Sequence, residues 1–271
     1  MIVGRRRFLA GSSLLVTGAV LGLSRVAATQ TPTTVGPASP KLVEDVVAAN
    51  RILVDQGVLD GYGHVSVRHD RDPNRYLMSR SLAPELVTAA DILEYDLDSN
   101  AVDARGRGSY LERFIHGEVY RVRADVKAVV HSHSPSVIPY GVTGVPLKPL
   151  YHMSAFLWEG VPVFDIRSAA GGMTDMLVRT PALGQALART LGASVAVLMR
   201  GHGAAVVGAS LPQAVFRSVY MEMNARLQSQ AMALGGTITY LDPEEARRAE
   251  ASLAGTLERP WELWRRKALA R

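Results

Sequence analysis

From Lys41 onward the chain alternates helical and strand-like runs with no internal repeat, and this order limits the folds open to it. In "KLVEDVVAANRILVDQGVL" the residues Leu42, Val46, Ala49 and Leu53 fall on one helical stripe that ends at the breakers Gly57 and Gly61. Short runs of strand character follow at "HVSVRH", "RYLMSR" and "ILEYDL", divided by Asp, Pro and Asn turns. "LERFIHGEVYRVR" reads as a helix with Phe114, Ile115 and Val119 at inward spacing, and "DVKAVVHSH" begins a strand. Beyond it come the strand "VPVFDI", the helix "PALGQALARTLG", the strands "VAVLMR" and "AAVVGAS" around "GHG", and a long helical region from Leu211. Such an order predicts one α/β domain of three layers, a mixed central sheet with helices on both faces.

The 271 residues, 48% hydrophobic and 20% charged, suit one large globular domain over 41–271 with a C-terminal helical extension, and exclude collagen-like, disordered and disulfide-framework chains. The net charge of +5 is concentrated at the front: Arg5, Arg6, Arg7 and Arg25 lie in the first 28 residues, which hold no acid, and without them the chain stands at +1. Nucleic-acid binding therefore loses its compositional support and is not expected. The opening "MIVGRRRFLAGSSLLVTGAVLGLSRVAATQ" has a basic start, an apolar stretch from Phe8 to Leu23 and small residues suited to cleavage after Ala28. It resembles a twin-arginine export signal, although Gly4 stands where Ser or Thr is usual. An uncleaved anchor is the alternative, but the apolar stretch is short against the ~20 residues of a membrane span. Residues 29–40, "TQTPTTVGPASP", read as a flexible tether. Export to the periplasm without a lasting membrane anchor is the expectation. Zero cysteines leave only His and carboxylate as metal ligands.

"AVVHSHSP" places His131 and His133 two apart at the end of an apolar run. On a strand such residues share a face, as two ligands of one ion must. Alone, H-x-H is more often a satisfied pair than a metal site, so a third ligand is needed. "LMRGHGAAVVG" offers His202 between two glycines, where a turn would expose the imidazole and let backbone approach closely. "LERFIHGEVY" offers Glu112 with His116 four residues on, a spacing that shares a helical face and is also ordinary for a surface pair.

The order and spacing of "GHVSVR", "ERFIHGEVYRVRADVKAVVHSHSP" and "MRGHG" resemble the class II aldolase/adducin family over roughly residues 41–240. The resemblance implies that His131, His133 and His202 hold one divalent cation per chain, Zn²⁺ or Mn²⁺ with Fe²⁺ or Co²⁺ accepted by the same donors, and that Glu112 is the acid/base group. It also implies a homotetramer. The family's sugar-phosphate aldolases hold phosphate with a G-N-x-S segment, a glycine-rich loop and a serine pair before the glutamate. Here the first reads Gly63-His64-Val65-Ser66, the loop reads "MSRSLAPEL", and Tyr110 and Leu111 replace the serine pair. A phosphorylated sugar is thereby disfavoured.

His64, Ser79 and Arg80 could instead meet a carboxylate, for which Arg has a matching fork, although Arg80 could equally be a solvated loop charge. Tyr110, Leu111 and Phe114 supply ring-compatible surface, and Tyr151 in "PLYHMSAFLW" could line the same pocket or simply pack. Such a site resembles the family branch that decarboxylates hydroxylated aromatic or pyridine dicarboxylates. The expected function is a metal-dependent carbon–carbon lyase acting on a small hydroxy-carboxylate. A retro-aldolase for hydroxy-keto acids, an iron-dependent oxygenase and a non-catalytic adducin-like module are the alternatives.

Overall fold

The computed structural model of the chain describes residues 36–270 together with Met1. The rest of the expected leader, and the tether up to residue 35, lie outside the described residues. Helix α1 (Pro40–Asp55) starts where Ser39 caps it, accepting the Leu42 N–H, and it buries Val46, Ala49, Ile52 and Leu53.

The strands β1 (His64–Arg68), β2 (Arg75–Ser79) and β3 (Ile92–Asp96) form an antiparallel meander. Helix α2 (Phe114–Val122) then crosses to β4 (Ala128–Ser132). The short helices α3 (Tyr140–Thr143) and α4 (Ile166–Ala170) flank the two-residue strand β5 (Val163–Phe164). After them come helix α5 (Pro181–Leu191) and the hairpin of β6 (Ala196–Met199) with β7 (Gly203–Gly208). Helices α6 (Leu211–Ala233), α7 (Pro243–Ala254) and α8 (Glu258–Leu269) complete the described chain.

The seven strands lie in the order β3-β2-β1-β4-β7-β6-β5, antiparallel except for the β5–β6 pair, so the sheet is mixed as expected. Alternation along β4 shows how the layers are made. Val129 packs with Ile115 and Val119 of α2 and Leu187 and Leu191 of α5, whereas Val130 packs with Ile52 of α1, Val215 of α6 and Trp261 of α8. Helices therefore cover both faces, which is the expected three-layer α/β architecture. His131 follows Val129 to the α2 side, and the register sets His64 opposite His131 and Ser66 opposite Val129.

The helical region after Leu211 consists of three helices, broken at 234–242 and 255–257. Helix α6 also carries buried polar residues that periodicity did not explain. The Asn224 amide accepts the Leu150 N–H and donates to the Lys148 carbonyl, Gln228 does the same for Lys148 N–H and the Pro146 carbonyl, and the Glu222 carboxylate accepts from the Ser134 hydroxyl and the Ser136 N–H. These side chains stand in for the ladder that the irregular 134–150 segment lacks. No helix among the described residues is long and apolar enough to cross a membrane.

Candidate functional site

Antiparallel pairing brings the end of β4, the start of β1 and the β6–β7 turn to one end of the sheet. His131 is the penultimate residue of β4 and fully buried; His133 lies one step past the strand. The turn that carries His202 needs both its glycines. Gly201 has φ +65°, and a Cβ on Gly203 would sit 1.9 Å from the Ser132 carbonyl oxygen. That close passage of β7 over the end of β4 delivers His202 to His133.

Glu112 arrives differently from the expectation. It sits in a 3₁₀ turn, Leu111–Arg113, with φ −91° and ψ 18°, before α2 begins. Glu112 and His116 therefore do not share a face of one helix. Glu112 turns to the other three histidines, while His116 points into the domain towards β1.

One ligand atom from each of Glu112, His131, His133 and His202 lies within 4.8 Å of all the others. The ring orientations fix most protons. His131 donates Nδ1–H to the Ala204 carbonyl at 3.1 Å, and His202 donates Nδ1–H to the Met176 carbonyl at 2.9 Å, so in the neutral rings both Nε2 atoms are lone pairs. The Glu112 Oε2 stands 3.3 Å from one and 3.4 Å from the other. A single proton on His133 Nε2 relieves its 3.0 Å contact with His202 Nε2, but no neutral tautomer relieves the carboxylate against both rings. His131 Nε2 is buried without a hydrogen-bond partner. The cluster thus calls for positive charge at its centre, which either an added proton or a cation supplies. Three imidazole nitrogens and one carboxylate oxygen are a donor set that could hold a borderline divalent ion.

The electrostatics follow from the same crowding. Burial, then His131 and His202, push the His133 imidazole down to about 4. For Glu112 burial favours the neutral acid, but the neighbouring His131 and His202 outweigh it and hold the carboxyl well below the usual range. Burial lowers His202 as well, and the Glu112 carboxylate reverses that and raises it.

Beside the cluster runs a second row, hydrogen-bonded from one side chain to the next. His64 Nδ1 lies 2.7 Å from His116 Nε2, His116 Nδ1 lies 2.6 Å from Ser66 Oγ, and Ser66 Oγ lies 2.8 Å from the Tyr120 hydroxyl. Burial first, with the adjacent histidines, lowers His64 well below its ordinary value and His116 to about 3, so both rings are neutral.

A cavity of about 310 Å³ opens onto Glu112, His133 and His64, walled by Tyr62, Ser81, Leu82, Tyr110, Leu111 and Leu177. Of the residues expected there as substrate contacts, His64 lines it. Ser79 is buried behind it, with its hydroxyl 3.0 Å from that of Tyr110. Arg80 does not line the cavity; its Nε donates to Asp91 at 2.6 Å, an ion pair across eleven residues that no local pattern announces. Tyr151 is also elsewhere, on the α6 side next to Tyr220 and Arg226, where burial raises its hydroxyl to about 12. Tyr62, Ser81 and Leu177 were missed in the sequence. Tyr62 directly precedes Gly63-His64, and its ring, 6.2 Å from that of His133, could have been found from that adjacency.

A family model described as Class II Aldolase and Adducin N-terminal domain matches residues 44–229. Decarboxylase tropJ of Talaromyces stipitatus is 37% identical over 247 residues, covering 83% of this chain and 93% of its own. A 3,4-dihydroxyphthalate decarboxylase of Arthrobacter keyseri is 32% identical over 212 residues, covering 72% and 80%. Among solved structures, L-fuculose 1-phosphate aldolase from Glaciozyma antarctica superposes with a TM-score of 0.70 at 22% identity over 86% of this chain and 93% of that one, a likeness of fold.

Proposed function

The chain belongs to the class II aldolase and adducin family, and on that premise we propose that it is a metal-dependent carbon–carbon lyase that decarboxylates a non-phosphorylated, hydroxylated aromatic acid. The observation that carries the reading is the convergence of Glu112 with His131, His133 and His202, of which Glu112 and His133 line a cavity walled by Tyr110, Leu111, Leu82 and Leu177. A flat ring fits such walls, and the relatives named as decarboxylases support this direction.

The three histidines, with or without Glu112, would hold the ion, Zn²⁺ or Mn²⁺ in the first place and Fe²⁺ or Co²⁺ with the same donors. Bound there, a dication supplies Lewis acidity to substrate oxygens flanking the bond that breaks. Glu112, ionised at rest, takes the proton of the substrate hydroxyl. As the bond to the carboxyl carbon breaks and carbon dioxide leaves, the electron pair stays with the ring, and Glu112 returns the proton to the vacated carbon. A solvent proton then restores the hydroxyl. Neutral His64, held from behind by His116, presents its free ring edge to the substrate, and Leu82, Leu111 and Leu177 limit water at the reacting carbon.

The test is metal analysis of untagged protein followed by a screen of hydroxylated aromatic carboxylates for carbon dioxide release. One divalent ion per chain with carbon dioxide evolved is expected. Cleavage of hydroxy-keto acids instead would make the protein a retro-aldolase, oxygen uptake an iron-dependent oxygenase, and absence of metal after reconstitution an adducin-like binding module. We further propose export by the twin-arginine route with removal of the leader, and assembly as a homotetramer. N-terminal sequencing of the periplasmic protein and light scattering test these two points.

A further inference from the structure

Between α4 and α5 the chain runs over the cluster as a strap that local sequence patterns leave unassigned. Met176 there has φ +72°, a left-handed conformation that side chains with a Cβ rarely adopt. Two side chains of the same strap fasten it: the Met176 N–H donates to Thr174 Oγ1 at 3.0 Å, and the Leu177 N–H donates to Asp175 Oδ1 at 3.2 Å. Asp175 is also paired with Arg179.

The twist has two consequences at the site. It aims the Met176 carbonyl at His202, accepting Nδ1–H at 2.9 Å, and two residues later it aims the Val178 N–H at Glu112, donating to Oε1 at 2.9 Å. The first bond leaves His202 Nε2 as the lone pair that faces the cluster; the second leaves Glu112 Oε2 as the oxygen turned to His131 and His202. Leu177, between them, lines the cavity. The Met176 sulfur lies 3.7 Å from the Arg200 guanidinium, whose Nε reaches Asp165 at 3.0 Å, so the strap is also tied to the turn that carries His202.

We infer that Met176 is a positioning residue: its left-handed backbone holds one proposed metal ligand and the proposed proton-transfer group in register through a single short strap. This rests on the proposed metal-dependent function, in which His202 is a ligand and Glu112 moves the proton. A conformational role makes a specific demand on substitutions. Asn and Gly accept φ > 0, whereas Val, closer to Met in apolar character, does not.

The experiment compares Met176→Asn, Met176→Gly and Met176→Val in the full chain, reading Zn²⁺ affinity by chelator competition, the His202 Nδ1–H hydrogen bond to the 176 carbonyl by ¹⁵N NMR of the metal-free protein, and the unfolding midpoint. That bond is present whether the ring is neutral or protonated at Nε2. Val is expected to weaken Zn²⁺ by roughly 10- to 100-fold, the range for lost outer-sphere partners, and to lose the hydrogen-bonded Nδ1–H signal of His202. Asn and Gly are expected to keep that signal and stay within about threefold of the parent affinity. Equal losses in all three would make the role of Met176 one of packing, and an unchanged affinity and Nδ1–H signal in Met176→Val would overturn the inference outright. If the parent protein binds no Zn²⁺ or Mn²⁺ at all, the proposed function fails, and the Nδ1–H signal of the metal-free variants still decides the strap.

Discussion

Two groups of histidines lie side by side at the same end of the sheet, with the His64 and His131 rings 5.1 Å apart, and they resolve their hydrogen bonding in opposite ways. In the row of His64, His116, Ser66 and Tyr120 each nitrogen that faces inward finds a partner, and hydroxyls close the chain. In the cluster of His131, His133, His202 and Glu112 the outer nitrogens of His131 and His202 are satisfied by carbonyls, and the inner atoms crowd lone pair against lone pair. Burial alone does not separate the two groups, since His131 is as buried as His116. What separates a structural histidine from a candidate ligand here is therefore the direction of its unsatisfied atom.

The largest effect that would break this contrast is loss of a cluster ligand. His131→Ala should abolish both metal binding and turnover, measured by metal analysis and carbon dioxide release, and retention of both would place the function elsewhere. Glu112→Gln should keep the metal while lowering kcat by about 10²- to 10⁴-fold, the usual contribution of a positioned acid/base group. Metal removal sharpens the contrast next. Chelation should lower stability by about 3 kcal/mol when free metal had stood near a hundred times its Kd, because only the native cluster binds it, and His131→Ala should show no such dependence. His116→Leu attacks the other group: it strands His64 Nδ1 and leaves Ser66 Oγ with Tyr120 alone, and should cost about 1–3 kcal/mol in denaturant unfolding with metal content unchanged. The smallest effect is expected from Tyr110→Phe, which removes the bonds to Ser79 and the Leu82 carbonyl at 3.0 and 2.5 Å, for about 0.5–1.5 kcal/mol of stability and a raised KM.

The parts of this arrangement that were legible in the sequence are those carried by period and by special residues. The alternation around Val129 and Val130 marks a strand buried on both faces, and the glycines on either side of His202 mark a turn pressed against its neighbour. Four residues of the candidate cluster could be named because their side chains are distinctive. The strap at Met176 could not, since it acts through a backbone carbonyl and a backbone N–H, which no side-chain identity marks. Arg80 was misplaced for a related reason: its partner Asp91 is fixed by the pairing of β2 with β3, which local spacing does not encode. Tyr151 was drawn to the cavity by its aromatic character, while the polar residues of α6 hold its segment on the opposite side of the sheet.

The pairing of β4 with β7 also has a consequence for the order of events in the life of the chain. His133 and His202 are 69 positions apart and meet only through that pairing and the passage of Gly203 over Ser132. A nascent chain on the ribosome cannot present the complete cluster until β7 has emerged and closed a long loop, an entropically late step. A cation held at the cluster would therefore report that this long-range pairing has closed, distinguishing such molecules from those in which β7 is still to be made.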